Sequence, residues 1–151
     1  MSDEAAALVA QARQWAGNYG RYSNGVEGAV LSVPLRIRAA WESGDADAFA
    51  DVFVDNGSLL VGDTQLRGRE EIRAYMAEGF AGPYRAARVV EEPVEVRLVA
   101  ADVALAVTDG GILRDGETEL APGQAGRAMY VIVKQGQEWK LISHQTSPIA
   151  G

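Results

Sequence analysis

The sequence contains no cysteine and a single histidine, His144. Without cysteine the chain can form no disulfide, no thiolate nucleophile and no sulfur-ligated metal centre. A single histidine excludes a zinc site that is built from several imidazoles. We therefore expect no metal site, and any reaction must depend on other side chains.

Long apolar runs and basic clusters are also missing. No run approaches the roughly 18 apolar residues that a membrane span requires. The first ten residues, MSDEAAALVA, contain two acids and none of the basic residues of a secretory signal. The formal net charge of −7 argues against nucleic acids and anionic membrane surfaces as partners. These absences predict a cytoplasmic protein.

The length and hydrophobic content of the chain predict one folded domain. The chain has 151 residues, of which 48% are hydrophobic, so it can bury a core without disulfides. Residues 3–17 read as a short helix, which we expect to form an N-terminal helical extension over residues 1–25. The main domain is then expected to cover residues 26–151.

Three further helices are predicted in the first half of that domain. Residues 26–42 form the first, with a kink at Pro34 or a start near Ser32. Asp45 is placed to cap a short helix that ends near Phe53, and a turn is predicted over residues 55–57. A third helix follows Gly68, with Ile72, Tyr75 and Met76 on one face.

From about Ala86 the apolar residues recur with a period of two, which predicts a series of antiparallel strands. Pro93 indicates a bulge or an edge near the start of the first of them. Helices followed by such a meander predict an α+β fold with the helices against one face of a curved sheet. Residues 130–133 are apolar at four consecutive positions, so both faces of that strand should be covered. We therefore predict a homodimer through the sheet.

Three stretches carry a family resemblance: WESGDADAFADVFVDNGSLLVG, LRGREEIRAYM and GRAMYVIVKQGQEWKLISHQTS. In this order and spacing they resemble the NTF2-like superfamily, which includes ketosteroid isomerase and the SnoaL-like cyclases, and most of all its SgcJ/EcaC-type small proteins. The resemblance covers roughly residues 26–147. It implies a cystatin-like cone of three to four helices on a strongly curved, mostly antiparallel sheet.

The resemblance also implies a pocket for a small apolar or polyketide-like ligand, and a dimer, but no single reaction. Ketosteroid isomerase uses an Asp base with a Tyr and a protonated Asp in its oxyanion hole. Alignment on Gly44-Asp45 places its Tyr and base positions on Ile37 and Val61, and the second acid near Tyr130. Two of the three polar groups are absent, so steroid-isomerase chemistry is not expected.

Asp63 and His144 are the candidate catalytic residues. Asp63 follows Val61 by two positions and would share its face if the strand continued; as a turn residue it is explained equally well. In the last strand, alternation puts Ser143 and Gln145 on the face of Trp139 and His144 on the other. If that face points inward, Ser143 and Gln145 enter the pocket, and a bulge would bring in His144 instead.

The remaining candidates are ligand-binding residues. A buried Tyr130 hydroxyl needs a partner, which is either a ligand carbonyl or a neighbouring side chain. Arg127 at the mouth could hold an acidic group or form a salt bridge with one of the acids. The other candidate wall residues come from the helical half of the chain: Trp41, Tyr75, Met76 and Tyr84. Each of them could equally be part of the core.

Two functions follow from these residues. The first is a binding protein that holds an apolar intermediate, as an accessory to polyketide- or enediyne-type natural-product biosynthesis. The second is a cofactor-independent isomerase, cyclase or dehydratase that acts on such an intermediate. No G-x-G-x-x-G follows a predicted strand and no other cofactor motif is present, so no cofactor is expected.

Overall fold

The computed structural model describes residues 25–61, 63–121 and 123–148. Within these ranges the helices are α1 (Gly25–Ser43), α2 (Ala46–Asp51) and α3 (Arg69–Ala81). The strands are β1 (Phe53–Val61), β2 (Thr64–Arg67), β3 (Arg88–Ala100), β4 (Val103–Leu113), β5 (Gly126–Gln135) and β6 (Glu138–Pro148). None of the described helices combines the length and apolar character needed to cross a bilayer.

The six strands form one sheet in the order β2-β1-β6-β5-β4-β3. All neighbouring pairs are antiparallel except β1 and β6, which run parallel. The helices pack against one face, where Ala104, Ala106 and Ala128 are buried and leave room for them. This architecture confirms the predicted α+β class, with helices on a mostly antiparallel sheet.

Helix α1 supplies much of the core from one stripe of its surface. Val30, Val33, Ile37 and Trp41 recur at helical spacing and are all buried. The helix runs without interruption across Pro34, so the predicted start near Ser32 is wrong. The predicted N-terminal extension, residues 1–25, lies outside the described residues apart from Gly25, the first residue of α1.

The connection from α1 to the sheet follows the predicted signals only in part. The side chain of Asp45 accepts a hydrogen bond from the Ala48 backbone N–H at 2.9 Å, so the predicted cap is confirmed. Helix α2 then ends two residues earlier than predicted. The predicted turn over residues 55–57 is wrong, because these residues lie within β1. The irregularity there is a shift in the pairing of β1 with β6.

A β-bulge in β3 decides which side chains of that strand point inward. Between Pro93 and Glu95 the strand advances two residues while its partner advances one, from Thr108 to Val107. The bulge reverses the alternation on the N-terminal side of Val94. Val94 is 43% exposed, whereas Pro93 faces the core. The regular alternation that the period-two pattern predicts is therefore interrupted here, and the residues before Val94 have the opposite orientation to the one it predicts.

Another bulge lies in β6. Ile132 pairs with Leu141, but the next pair is Val131 with Ser143, so Ile142 is an extra residue in β6. Trp139 and Leu141 are buried on the helix side before the bulge. After it, His144 and not Ser143 is opposite the inward-facing Tyr130.

Gly110 allows the backbones of β3 and β4 to approach closely where Glu91 faces it. A β-carbon at this position would overlap the carbonyl oxygen of Val90 and lie 2.6 Å from Cα of Glu91. We expect Gly110→Ala to lower the free energy of unfolding by about 2 kcal/mol, because backbone atoms cannot move aside as side chains do. Urea denaturation measures the change.

Gly116→Ala is the matched control for that variant. Gly116 has φ +87°, but a β-carbon there meets no atom within 4 Å. Its cost should be limited to the backbone term of about 1 kcal/mol. If the two variants lose the same free energy of unfolding, the close approach of the β3 and β4 backbones at Gly110 is contradicted.

Candidate functional site

A cavity of about 170 Å³ lies between the helices and the inner face of the sheet. Its wall is largely apolar, with Ile37, Leu59 and Met76 among its residues. The polar side chains in the wall are Tyr75, Tyr84, Glu91, Thr108, Tyr130, His144 and Thr146. An apolar cavity with a few convergent polar groups is the usual form of a small-molecule site.

Glu91 is the only carboxyl group in the cavity wall among the described residues, and it is 9% exposed. Thr108 Oγ1 donates to Glu91 Oε2 at 2.6 Å. The Tyr130 hydroxyl donates to the same carboxyl group, 3.1 Å from Oε1 and 2.9 Å from Oε2. Three adjacent strands thus supply one hydrogen-bonded cluster, which meets the requirement that buried polar groups be paired.

Burial favours the neutral form of this cluster. It raises the pKa of the Glu91 carboxyl, while the hydrogen bonds from Thr108 and Tyr130 and the charge of Arg38 act in the opposite direction. Burial likewise raises the pKa of the Tyr130 hydroxyl well above its usual value, and the neighbouring Glu91 adds to the effect. A carboxyl group with a raised pKa inside a cavity is a recurrent feature of acid–base sites.

His144 lies beside this cluster. Its imidazole stacks on the Tyr130 ring, with centroids 4.2 Å apart and planes inclined by 11°. Nδ1 is 3.2 Å from the backbone oxygen of Met129. Burial lowers the pKa of His144 to about 4, although the hydrogen bond to Met129 acts in the opposite direction. The ring is therefore neutral at pH 7.

Aromatic side chains close the helical side of the cavity. The Tyr84 ring packs against Trp41 at a centroid distance of 5.0 Å, and its hydroxyl is 3.3 Å from that of Tyr75. Burial, aided by Tyr75, raises the pKa of Tyr84 to about 12. Gly79 makes this arrangement possible, because a β-carbon there would overlap the Tyr84 ring. Tyr84 is therefore a neutral hydrogen-bonding group.

Several of the residues predicted from sequence are brought together in the wall: Trp41, Tyr75, Met76, Tyr84, Tyr130 and His144. Tyr130 bonds to a neighbouring side chain, Glu91, which is one of the two alternatives predicted for its hydroxyl. That these residues bind a ligand stays a prediction.

Ser143 and Gln145 do not point into the cavity, so their predicted placement is wrong. Gln145 is exposed and pairs with Met129 on the outer face of the sheet. The bulge at Ile142 is the reason, because one extra residue reverses the alternation that Trp139 begins. The same bulge places His144 and Thr146 in the wall.

Arg127 and Asp63 also lie outside the cavity. Arg127 is exposed and forms a two-pronged salt bridge with Asp109, opposite it on β4, with Nε 2.7 Å from Oδ1. Asp63 is an exposed turn residue between β1 and β2. The pocket role suggested for each is therefore wrong, and the other alternative holds: Asp63 is a turn residue because the strand ends at Val61, and Arg127 forms a salt bridge.

Glu91 and Thr108 were missed by sequence reasoning. Alternation extrapolated back from Val96 places Glu91 on the outside, and only the bulge after Pro93 turns it inward. The proline was the available signal, since it indicated a bulge at this point. Among the described residues, no group of three or more His, Asp or Glu side chains is placed to hold a metal ion.

A SnoaL-like domain matches residues 30–151, which is most of the chain. The chain belongs to the SnoaL-like family. None of the curated proteins matches it in sequence. Assignment to the SgcJ/EcaC-type proteins in particular stays a prediction.

Solved structures share the fold of this SnoaL-like chain. One is a domain of unknown function with a cystatin-like fold from Nostoc punctiforme, with 24% identity, a TM-score of 0.76 and coverage of 83% of this chain and 78% of that chain. Another is an NTF2-like protein from Novosphingobium aromaticivorans, with 19% identity, a TM-score of 0.69 and coverage of 82% and 81%.

A third similar structure, from Thiobacillus denitrificans, is described as a calcium/calmodulin-dependent protein kinase type II association domain. It is 21% identical, has a TM-score of 0.69, and the match covers 80% of this chain and 94% of that one. At these identities the three structures establish the NTF2-like fold of the SnoaL-like chain and nothing about its ligand.

The raised pKa of Glu91 makes a testable difference to the stability of this SnoaL-like protein. The folded state holds the carboxyl proton more tightly than the unfolded chain, whose ordinary value is near 4.5. The stabilisation that results from this difference is fully present at pH values below the pKa of the unfolded chain. It is lost as the pH rises through the raised pKa of the folded state. We expect Glu91→Gln to gain stability relative to the wild type as the pH rises from 5 to 8.

Urea unfolding at several pH values measures this difference. Glu92→Gln, which removes the charge of the exposed neighbouring residue, controls for the change in net charge. A Glu91→Gln difference that stays constant with pH would contradict the neutral, buried carboxyl group.

Proposed function

We propose that this protein binds a small, largely apolar molecule in its cavity and transfers a proton on it without a cofactor. The observation that carries this proposal is the buried carboxyl group of Glu91, held by Tyr130 and Thr108 beside the neutral imidazole of His144. The reaction class is that of cofactor-independent isomerases, cyclases and dehydratases. Glu91 takes the role that the sequence had suggested for Asp63.

The proton would move between the Glu91 carboxyl group and a carbon atom next to a carbonyl group. Glu91 reacts in its ionised form: the C–H bond breaks, its proton goes to the Glu91 carboxylate, and its electron pair forms the C=C bond of an enolate. Once Glu91 has taken the proton it no longer needs both hydroxyl donors, so the hydroxyl of Tyr130 or Thr108 can stabilise the negative charge that develops on the oxygen. A raised pKa makes the Glu91 carboxylate a stronger base than an ordinary one.

Proton exchange on a simple ring ketone tests this proposal. Cyclohexanone in D₂O exchanges its α-protons slowly, and NMR follows the loss of their signals. We expect the wild-type protein to accelerate the exchange and Glu91→Gln to reduce the acceleration at least about 100-fold, since general acid–base groups contribute about 10²–10⁴. Gln145→Ala, on the outer face, is the matched control and should retain full activity.

Binding without turnover is the second candidate function. The two positions at which a relative keeps its catalytic Tyr and Asp are Ile37 and Val61 here, and both lie in the cavity wall as apolar residues. A wall without those groups suits a protein that holds an intermediate of natural-product biosynthesis. The resemblance to the SgcJ/EcaC-type proteins supports a polyketide- or enediyne-type context for this role.

The same exchange experiment separates the two candidates. Stabilisation of the protein by cyclohexanone in a thermal melt, without accelerated exchange, would favour holding over turnover. Exchange that survives Glu91→Gln would contradict the assigned role of the carboxyl group.

The outer face of the sheet supports the proposal of a homodimer. Its central positions are apolar and only partly buried: Val103, Leu105, Val107, Met129, Val131 and Val133. Met129 is 39% exposed. An apolar sheet face of this kind is normally covered, and a second copy of the chain covers it symmetrically.

A charge at the centre of this face should prevent the association. The wild-type protein is expected to have twice its monomer mass of 16.1 kDa in light scattering at micromolar concentration. Val131→Asp should give a monomer with unchanged circular dichroism, because burying an unpaired carboxylate is costly. Ala77→Asp, on an exposed part of α3, should leave the mass unchanged. A monomeric wild type would contradict the dimer.

A further inference from the structure

The size of the cavity limits what can occupy it. An apolar cavity of about 150 Å³ is known to take one benzene ring, whereas drug-sized ligands occupy pockets of about 300–1,000 Å³. The cavity of this protein, about 170 Å³, therefore matches a single six-membered ring with a small substituent. The aromatic side chains of Trp41, Tyr75 and Tyr84 offer faces and edges for such a ring.

The charges around the cavity favour an uncharged molecule. Among the described residues, no arginine or lysine side chain contributes to the wall, and the one carboxyl group there is Glu91. An anionic ligand would lose its hydration without gaining a cationic partner. Glu91 itself already accepts hydrogen bonds from Thr108 and Tyr130, which reduces its capacity to bind a ligand cation.

The hydrogen bonds of His144 define the group that the ligand must carry. The backbone oxygen of Met129 can only accept, so Nδ1, 3.2 Å away, must carry the proton. In the neutral ring Nε2 is then an acceptor, and the described residues supply no donor to it. Stacking on Tyr130 fixes the plane of the ring in the cavity wall. A ligand satisfies Nε2 only by donating a hydrogen bond.

We infer that the ligand is an uncharged single-ring molecule whose hydroxyl group donates to Nε2 of His144, and a phenol or a cyclic enol is the simplest molecule of this kind. This inference rests on the proposed function, because it names the class of molecule that enters the same site. The enol of a ring ketone, which forms when Glu91 returns its proton to the oxygen of the enolate, has the hydroxyl group that donates to His144.

Calorimetric titration of the full chain with phenol, toluene, benzoate and 2-naphthol tests the inference. We expect phenol to bind about tenfold more tightly than toluene, which corresponds to about 1.4 kcal/mol for the hydrogen bond. Benzoate and 2-naphthol should bind more weakly than phenol, because of their charge and size. In His144→Phe, which keeps an aromatic ring against Tyr130, the preference for phenol over toluene should disappear. Gln145→Ala should retain it.

The imidazole itself provides a readout that needs no variant. His144 is the only histidine of the chain, so the side-chain ¹⁵N signals of labelled protein belong to it alone. Nδ1 should be protonated and Nε2 unprotonated in the free protein, and phenol should shift the Nε2 signal while toluene leaves it unchanged.

Several results would overturn the inference. Toluene binding as tightly as phenol would remove the hydroxyl requirement, tighter binding of 2-naphthol would remove the size limit, and tighter binding of benzoate would remove the charge argument. A protonated Nε2 in the free protein, or no binding of any single-ring compound, would refute it as well. Proton exchange that depends on Glu91 could persist in each case, so the proposed function is judged separately.

Discussion

A carboxyl group inside an apolar cone must be neutral or hydrogen-bonded on all sides, because an isolated buried charge is too costly. In this protein Thr108 and Tyr130 provide the hydrogen bonds of Glu91, and the Tyr130 ring in turn carries the imidazole of His144. Each member comes from a different one of the four adjacent strands β3 to β6. The polar end of the cavity therefore exists only when the sheet is complete and in register.

The sheet architecture was predictable because it depends on patterns that extend over many residues. The helical stripe of α1, the cap at Asp45 and the period-two strands survive small local errors. The site depends on single residues instead. One extra residue in β3 and one in β6 reverse the side-chain alternation, which brings Glu91 and His144 inward and turns Gln145 outward. Pro93 indicates the bulge in β3, whereas no residue near Ile142 indicates the bulge in β6.

The fold of the family accounts for the presence of the cavity, whereas the residues in the cavity wall determine its chemistry. Ile37 and Val61 make the wall apolar where ketosteroid isomerase is polar. Glu91 restores a carboxyl group on the opposite side of the cone, on β3 rather than β1. In the proposed function the acid–base group thus lies at a different position within the same fold, which is consistent with the variety of functions that one fold can host.

The ¹³C chemical shift of the Glu91 carboxyl group, followed against pH, shows directly whether this group is a buried acid, and Glu91→Gln identifies its resonance. We expect a carboxyl group that remains protonated above its ordinary pKa of 4.5 and whose resonance moves when phenol is added. A Glu91 that ionises near 4.5 and does not respond to phenol would contradict both the buried acid and the site built around it.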